Sequence, residues 1–167
     1  MKLHTTVLAA FAACFLPHAL AAPRGVIAQP TAAEIPQLCD KSIAQARQRV
    51  DKIKALPLRR VNVKTVLHAW NELDMGLQDI GGPIGLLSET SPDPEVRKAA
   101  EACDLLLSAL PNEYLQSEAL FRRVHTLRTT DPIDTMARQS ILDDFEERGV
   151  SLPAAKRERA KAIFERL

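Results

Sequence analysis

The sequence predicts an all-α fold, an antiparallel arrangement of about six helices following a cleaved signal peptide. Apolar residues recur at steps of three and four through most of the chain, no stretch alternates convincingly with period two, and turn pairs typical of hairpins are absent. Composition agrees: 46% of the residues are hydrophobic but only 4% aromatic, so Leu, Ala, Val and Ile supply the apolar surface and suit helix packing. At 167 residues the chain exceeds the size at which a core needs disulfide or metal staples. No fixed repeat of about 34 or 40 residues points to a solenoid.

Residues 1–21 have the order of a secretory signal: Lys2, an apolar run from Val7 to Leu16, then Ala19-Leu20-Ala21-Ala22. Cleavage after Ala21 fits the small-x-small rule. The run is shorter than the roughly 20 apolar residues that span a bilayer, so no stable membrane span is expected. Lipoprotein processing at Cys14 is a rival, disfavoured by Phe11 three places before it. The expected destination is export, in a bacterial setting the periplasm. Residues 22–30, with two prolines and little charge, read as an extended leader, and residues 31–167 as the helical domain.

Within that domain, Thr31 and Glu34 have capping-box spacing, and Cys39, Ile43, Ala46, Val50 and Ile53 form an apolar stripe that carries a first helix to about Ala55, where Pro57 stops it. Asn62 can cap a second helix with Val63, Val66, Leu67, Trp70, Leu73, Leu77 and Ile80 on one face, ended or interrupted by Gly81-Gly82-Pro83. Asp93-Pro94-Glu95 is a strong start for a third, running to about Ala109, with Val96, Ala100, Cys103, Leu107 and Leu110 in its stripe. A fourth is expected from Pro111 or Asn112 through Leu120, Phe121, Val124 and Leu127. Asp131-Pro132 starts a fifth, with Ile133, Ala137, Ile141 and Phe145 on one side and Gly149 as its cap. The sixth, from Pro153 to Leu167, is charged, with Ile163, Phe164 and Leu167 as its apolar positions.

Charge excludes one class of partner. Lys and Arg number 22 against 21 Asp and Glu, and removing the signal, which holds Lys2 and no acid, leaves the two signs equal. Such a chain has no basic field for nucleic acid. Cys39 and Cys103 alone survive cleavage, and an oxidising compartment would let them pair. Both also sit on apolar stripes, so two buried thiols are an equal alternative. A bridge closing a loop of about 60 residues would add on the order of 4 kcal/mol in the chain-entropy model.

No catalytic or metal-binding residue emerges. Of four histidines, His4 and His18 leave with the signal. His68 is followed by Ala-Trp-Asn and His125 by Thr-Leu-Arg, so neither belongs to an H-E-x-x-H zinc helix. Gly81-Gly82-Pro83-Ile84-Gly85 has no P-loop lysine and no preceding strand. Asp143-Asp144 and Glu146-Glu147 beside Arg148 read as a solvated helix face, because neighbouring helical positions point in different directions.

One pattern goes further. The run Pro94-Glu-Val-Arg-Lys-Ala-Ala-Glu-Ala-Cys103 after Asp93, then Asn112-Glu-Tyr-Leu, Leu120-Phe121, Arg138, Ile141-Leu142, Phe145 and Gly149-Val-Ser-Leu-Pro153 resembles the amino-terminal helical region of the thimet oligopeptidase and neurolysin family of zinc metallopeptidases. Trp70, Asn71, Leu73 and Asp74, and later Arg157 and Arg159, fall in the same order. The resemblance implies an enzyme that cleaves short peptides in a deep channel between two helical halves, with zinc held by an H-E-x-x-H helix and a downstream glutamate. None of those residues has a counterpart here. It therefore implies a non-catalytic wall of the substrate channel, inactive alone, in a chain truncated before the catalytic half that would be its partner. The alternative is a free-standing periplasmic helical module that binds peptides or a protein without catalysis.

Overall fold

A computed structural model describes residues 29–164. It contains α1 (Glu34–Lys54), α2 (Ala69–Thr90), α3 (Pro94–Tyr114), α4 (Glu118–Thr126), α5 (Pro132–Glu147) and α6 (Ala154–Phe164), with no strand among the described residues. A 3-10 turn at Leu58–Arg60 and a π-helical turn at Lys64–His68 connect α1 to α2. The signal peptide at 1–21, Cys14 and nearly all of the leader at 22–30 lie outside the described residues, as does Leu167.

The starts form where side chains can satisfy free amides. At α1, Glu34 Oε2 accepts from both the amide and the hydroxyl of Thr31, each at 2.8 Å, so the acidic half of the expected box is made while the hydroxyl donates to the carboxylate. These bonds hold the Glu34 carboxyl below its ordinary pKa. Asn62 and Thr65 exchange side-chain bonds with each other's amides at 3.0 Å, a reciprocal box ahead of the π turn. Asp93 caps α3 through the Glu95 amide at 2.8 Å, and Asp131 caps α5 through those of Ile133 and Asp134. At the end of α5, Gly149 has φ of +77°, its amide donates to the Glu146 carbonyl and that of Val150 to the Phe145 carbonyl. This is a Schellman closure, with Val150 and Phe145 both buried as its apolar contact.

Helices α1, α2 and α3 form the main body, with α2 packed against both neighbours. Arg49 of α1 reaches the Glu72 carbonyl of α2, and Trp70 of α2 meets Tyr114 of α3 while Gly85 approaches Asp104. Both pairings of α2 are therefore antiparallel. Helices α1 and α3 then run in the same sense, with Cys39 beside Cys103 and Arg47 bonded through two atoms to Glu113 at 2.6 and 2.9 Å. The cysteine Cα atoms are 5.8 Å apart and both residues are buried. Helix α4 packs on α1 and α5, and both α4 and α5 touch the π turn.

The apolar stripes of α1 and α3 are buried as their spacing predicts, with Leu107 partly covered. Three expectations fail. Gly81-Gly82-Pro83 neither ends nor interrupts the second helix, which continues to Thr90. Proline inside a helix costs about 3 kcal/mol and each glycine about 1, but Ile84 is fully buried and Ile80 and Leu87 pack on the same core. Fully burying such side chains returns about 1.5–3 kcal/mol each. Second, Pro111 does not begin a fourth helix. It lies inside α3, whose last turns bury Leu110, Asn112 and Tyr114, and α4 begins after Ser117, whose hydroxyl accepts from the Leu120 amide. Third, Ile133 is 75% exposed and Ala137 is also exposed. The first half of α5 joins α4 through Arg138, which donates to the carbonyls of Val124 and His125 at 3.1 and 2.7 Å, and apolar burial begins only at Ile141.

Two glycine substitutions should separate conformational need from mere presence. A Cβ at Gly149 would sit 2.7 Å from Leu152 Cδ1 on a left-handed backbone, so Gly149→Ala is expected to lower unfolding free energy by about 1–2 kcal/mol in urea titrations. A Cβ at Gly82 meets nothing within 4 Å in a helix interior, so Gly82→Ala should raise it by up to about 1 kcal/mol.

Candidate functional site

The densest meeting of chemically distinctive side chains lies where α2, α3 and α5 converge. Trp70 and Tyr114, the only tryptophan and tyrosine in the chain, stack edge to face at 5.8 Å. Phe145 leans on Trp70 at 5.6 Å and on Phe121 at 5.7 Å, and Phe121 continues to the ring of His125 at 5.6 Å. Trp70, Tyr114 and Phe145 are buried, so a chain poor in aromatics concentrates them at one joint.

Polar groups ring this cluster. Asp74, one turn along α2 from Trp70, is half-buried. Burial raises its pKa, the nearby Asp144 raises it further, and a bond from Trp70 opposes both. The pKa of Asp144 is also raised, by burial first and then by Glu147, against the opposing charge of Arg148. Tyr114 is pushed upward by burial and by the two aspartates. Arg148 bonds to the side-chain oxygen of Asn112, the one buried polar residue among those described, and its guanidinium lies 4.7 Å over the Phe164 ring. Asp143, Asp144, Glu146 and Glu147 are exposed as expected, while Arg148 is half-buried and bonds across to Asn112. The signal for this polar rim was spacing: Trp70 with Asp74, and Asp144 with Arg148, are four apart on their helices.

This rim holds no nucleophile paired with a base. His68 and His125 are both exposed, the first in the π turn and the second near the end of α4. Among the described residues no three His, Cys, Asp or Glu side chains stand close enough to share a metal ion. The donor set on these residues does not fit a zinc site. Cys39 and Cys103 are brought together, but between α1 and α3 and with no histidine beside them in the stripe.

Of the surface clefts among the described residues, one of about 340 Å³ runs between α1 and α2, lined by Ser42, Gln45, Arg49, Gly76 and Asp79. Arg49 crosses it, and a Cβ on Gly76 would lie 2.8 Å from its Nη1, so the glycine makes room for the guanidinium. Another, of about 300 Å³, opens between the end of α5 and α6, with Leu152, Ile163 and Phe164 in its wall. No helix among the described residues is long and apolar enough to cross a membrane.

No family model matches the sequence. The chain is 32% identical over 132 residues to Oligopeptidase A of Escherichia coli (strain K12), an alignment that takes in 68% of this chain and 19% of that protein. It therefore spans about a fifth of the length of the curated relative it matches. The similarity is a family resemblance to a peptidase over one helical region.

The half-buried carboxylate gives a signed pH dependence. Asp74 and Asp144 bind protons more tightly folded than unfolded, so their ionisation works against the fold at neutral pH, and this is relieved as pH falls through their raised values. Asp74→Asn is expected to stabilise the protein at pH 7 by a few tenths to about 1 kcal/mol after solvent screening. The gain should shrink as pH falls and be lost only below the ordinary Asp value of 3.8. Urea titrations of both proteins at about pH 7 and near pH 3 measure it, and a gain of undiminished size at the lower pH would assign the effect to packing.

Proposed function

We propose that the chain is the amino-terminal helical region of an exported zinc oligopeptidase of the thimet family, a non-catalytic wall of the channel in which short peptides are cleaved. The observation that carries this reading is the 32% identity over 132 residues to Oligopeptidase A, which falls on a chain whose described residues are helical throughout their regular structure. The resemblance of the segments around Pro94–Cys103 and Phe145–Pro153 points the same way. In this reading zinc and its ligands reside in a catalytic half outside these residues, and no hydrolytic step is assigned to any side chain here.

What the region supplies is position. Its polar side chains near the core bond to one another, as Asn112 does to Arg148, and its surface carries large apolar groups. Leu105 and Leu106 on α3 are 66% and 54% exposed, and Met136 on α5 is 73% exposed. A region that packs on a second half presents such groups, although scattered exposed leucines alone are ordinary.

Grafting tests the assignment. Residues 31–164 are put in place of the matching region of Oligopeptidase A, and hydrolysis of a short fluorogenic peptide is followed. A folded chimera is expected to retain zinc-dependent hydrolysis, while the isolated chain hydrolyses nothing. A chimera that folds and is inactive overturns the assignment to this family region. Chelator-sensitive cleavage by the isolated chain overturns the non-catalytic role.

A further inference from the structure

We propose that Cys39 and Cys103 form a buried disulfide, made in an oxidising compartment, that locks the register of the two parallel helices α1 and α3. The proposal stands apart from the peptidase reading. Three observations support it. The Cα atoms are 5.8 Å apart, within the 4.4–6.8 Å range that disulfides usually span. Both residues are almost wholly buried, at 1% and 2% exposure, in the apolar layer that includes Ile35, Ile43 and Ala100. The Arg47–Glu113 pair sets the same alignment of α1 against α3 about two turns further along, so the bond needs no shift of either backbone.

The bond joins elements that connectivity leaves free to slide. Helix α2 lies between α1 and α3 in sequence and packs on both, and the cysteines are 64 residues apart. An exposed ion pair such as Arg47–Glu113 fixes a register weakly. A covalent link at the other level of the same interface makes slippage impossible without breaking it.

Formation is a thiol–disulfide exchange with a disulfide-bearing oxidant, protein or small molecule. One cysteine thiolate attacks the oxidant's disulfide and expels one of its sulfurs as thiolate. The second cysteine thiolate attacks the mixed disulfide and expels the other. One intramolecular S–S bond forms, the oxidant's S–S bond is lost, and its two thiolates take up the two protons that the cysteines released. Burial in the final fold places this exchange before α1 closes on α3, and afterwards shields the bond from soluble thiols. The secretory order of residues 1–21 independently directs the chain to such a compartment.

The full chain, expressed with its own first residues and recovered from the bacterial periplasm, is unfolded in guanidinium without reductant and treated with iodoacetamide. No alkylation at Cys39 or Cys103 is expected, with full alkylation at both after reduction and an intact mass about 2 Da lower before it. The same protein lacking residues 1–21, kept in a reducing cytoplasm, should be alkylated at both positions. Two free thiols in the exported protein overturn the bond, and a bond formed equally in the reducing cytoplasm overturns its dependence on compartment. Reductant should lower the Tm of the exported protein by on the order of 10 °C and leave a Cys39→Ala/Cys103→Ala variant unmoved. An unchanged Tm on verified reduction overturns the locking role, and the alkylation result stands even if the double variant does not fold.

Discussion

The fold depends on α2 remaining one helix across Gly81-Gly82-Pro83. Helices α1, α2 and α3 have 21, 22 and 21 residues, each about 30 Å long, and α2 is antiparallel to both of the others. If α2 ended at Ile80, the beginning of α3 would lose the helix that covers it, and Ile84 and Leu87 would have no face to bury. The connection from α2 to α3 would also grow from three residues to more than a dozen. Local propensity argues for a break, yet the partner helix is long enough to reward continuation. Tertiary packing decides it.

That contest explains which parts of the architecture were legible. Stripes with period 3.6 require only that a face be covered, so Cys39, Ile43, Ala46, Val50 and Ile53 could be assigned to a core without knowing what covers them. Caps are equally local: Asp93, Asp131 and Gly149 act on amides or carbonyls within a few residues. Pro83 and Pro111 were misleading because the outcome at each depends on side chains from other helices. The π turn escaped for another reason. Val66 and Leu67 are buried there as their face predicts, but the π hydrogen-bonding that carries them leaves no mark in the spacing.

The polar joints were less legible than the apolar ones. Arginines in a charged helical sequence look solvated, but here they hold main-chain carbonyls: Arg97 that of Ser91, Arg123 those of Leu56 and Ala119, Arg138 those of Val124 and His125, and Arg157 that of Val150. Several of these carbonyls lie at helix ends or in the connections, where no intrahelical donor remains. An arginine reaches them from another element because its stem packs along apolar surface while its fork keeps several donors available. Sequence spacing carries no mark of that choice, since the carbonyl partner belongs to the backbone and has no residue type.

The same commitment of polar groups bears on function. Arg148 is bonded to Asn112 and stacked over Phe164, Arg49 is bonded across the α1–α2 cleft, and the Tyr114 hydroxyl is held in its neutral form by burial and two nearby aspartates. Catalysis needs a group whose bonding can change during a reaction, with room for a substrate atom beside it. These groups are instead engaged between helices, and the exposed side chains of α3 and α5 include the large apolar Leu105, Leu106, Ile133 and Met136. On the proposed reading, a region organised in this way would contribute shape and rigidity, and the chemistry would come from other residues.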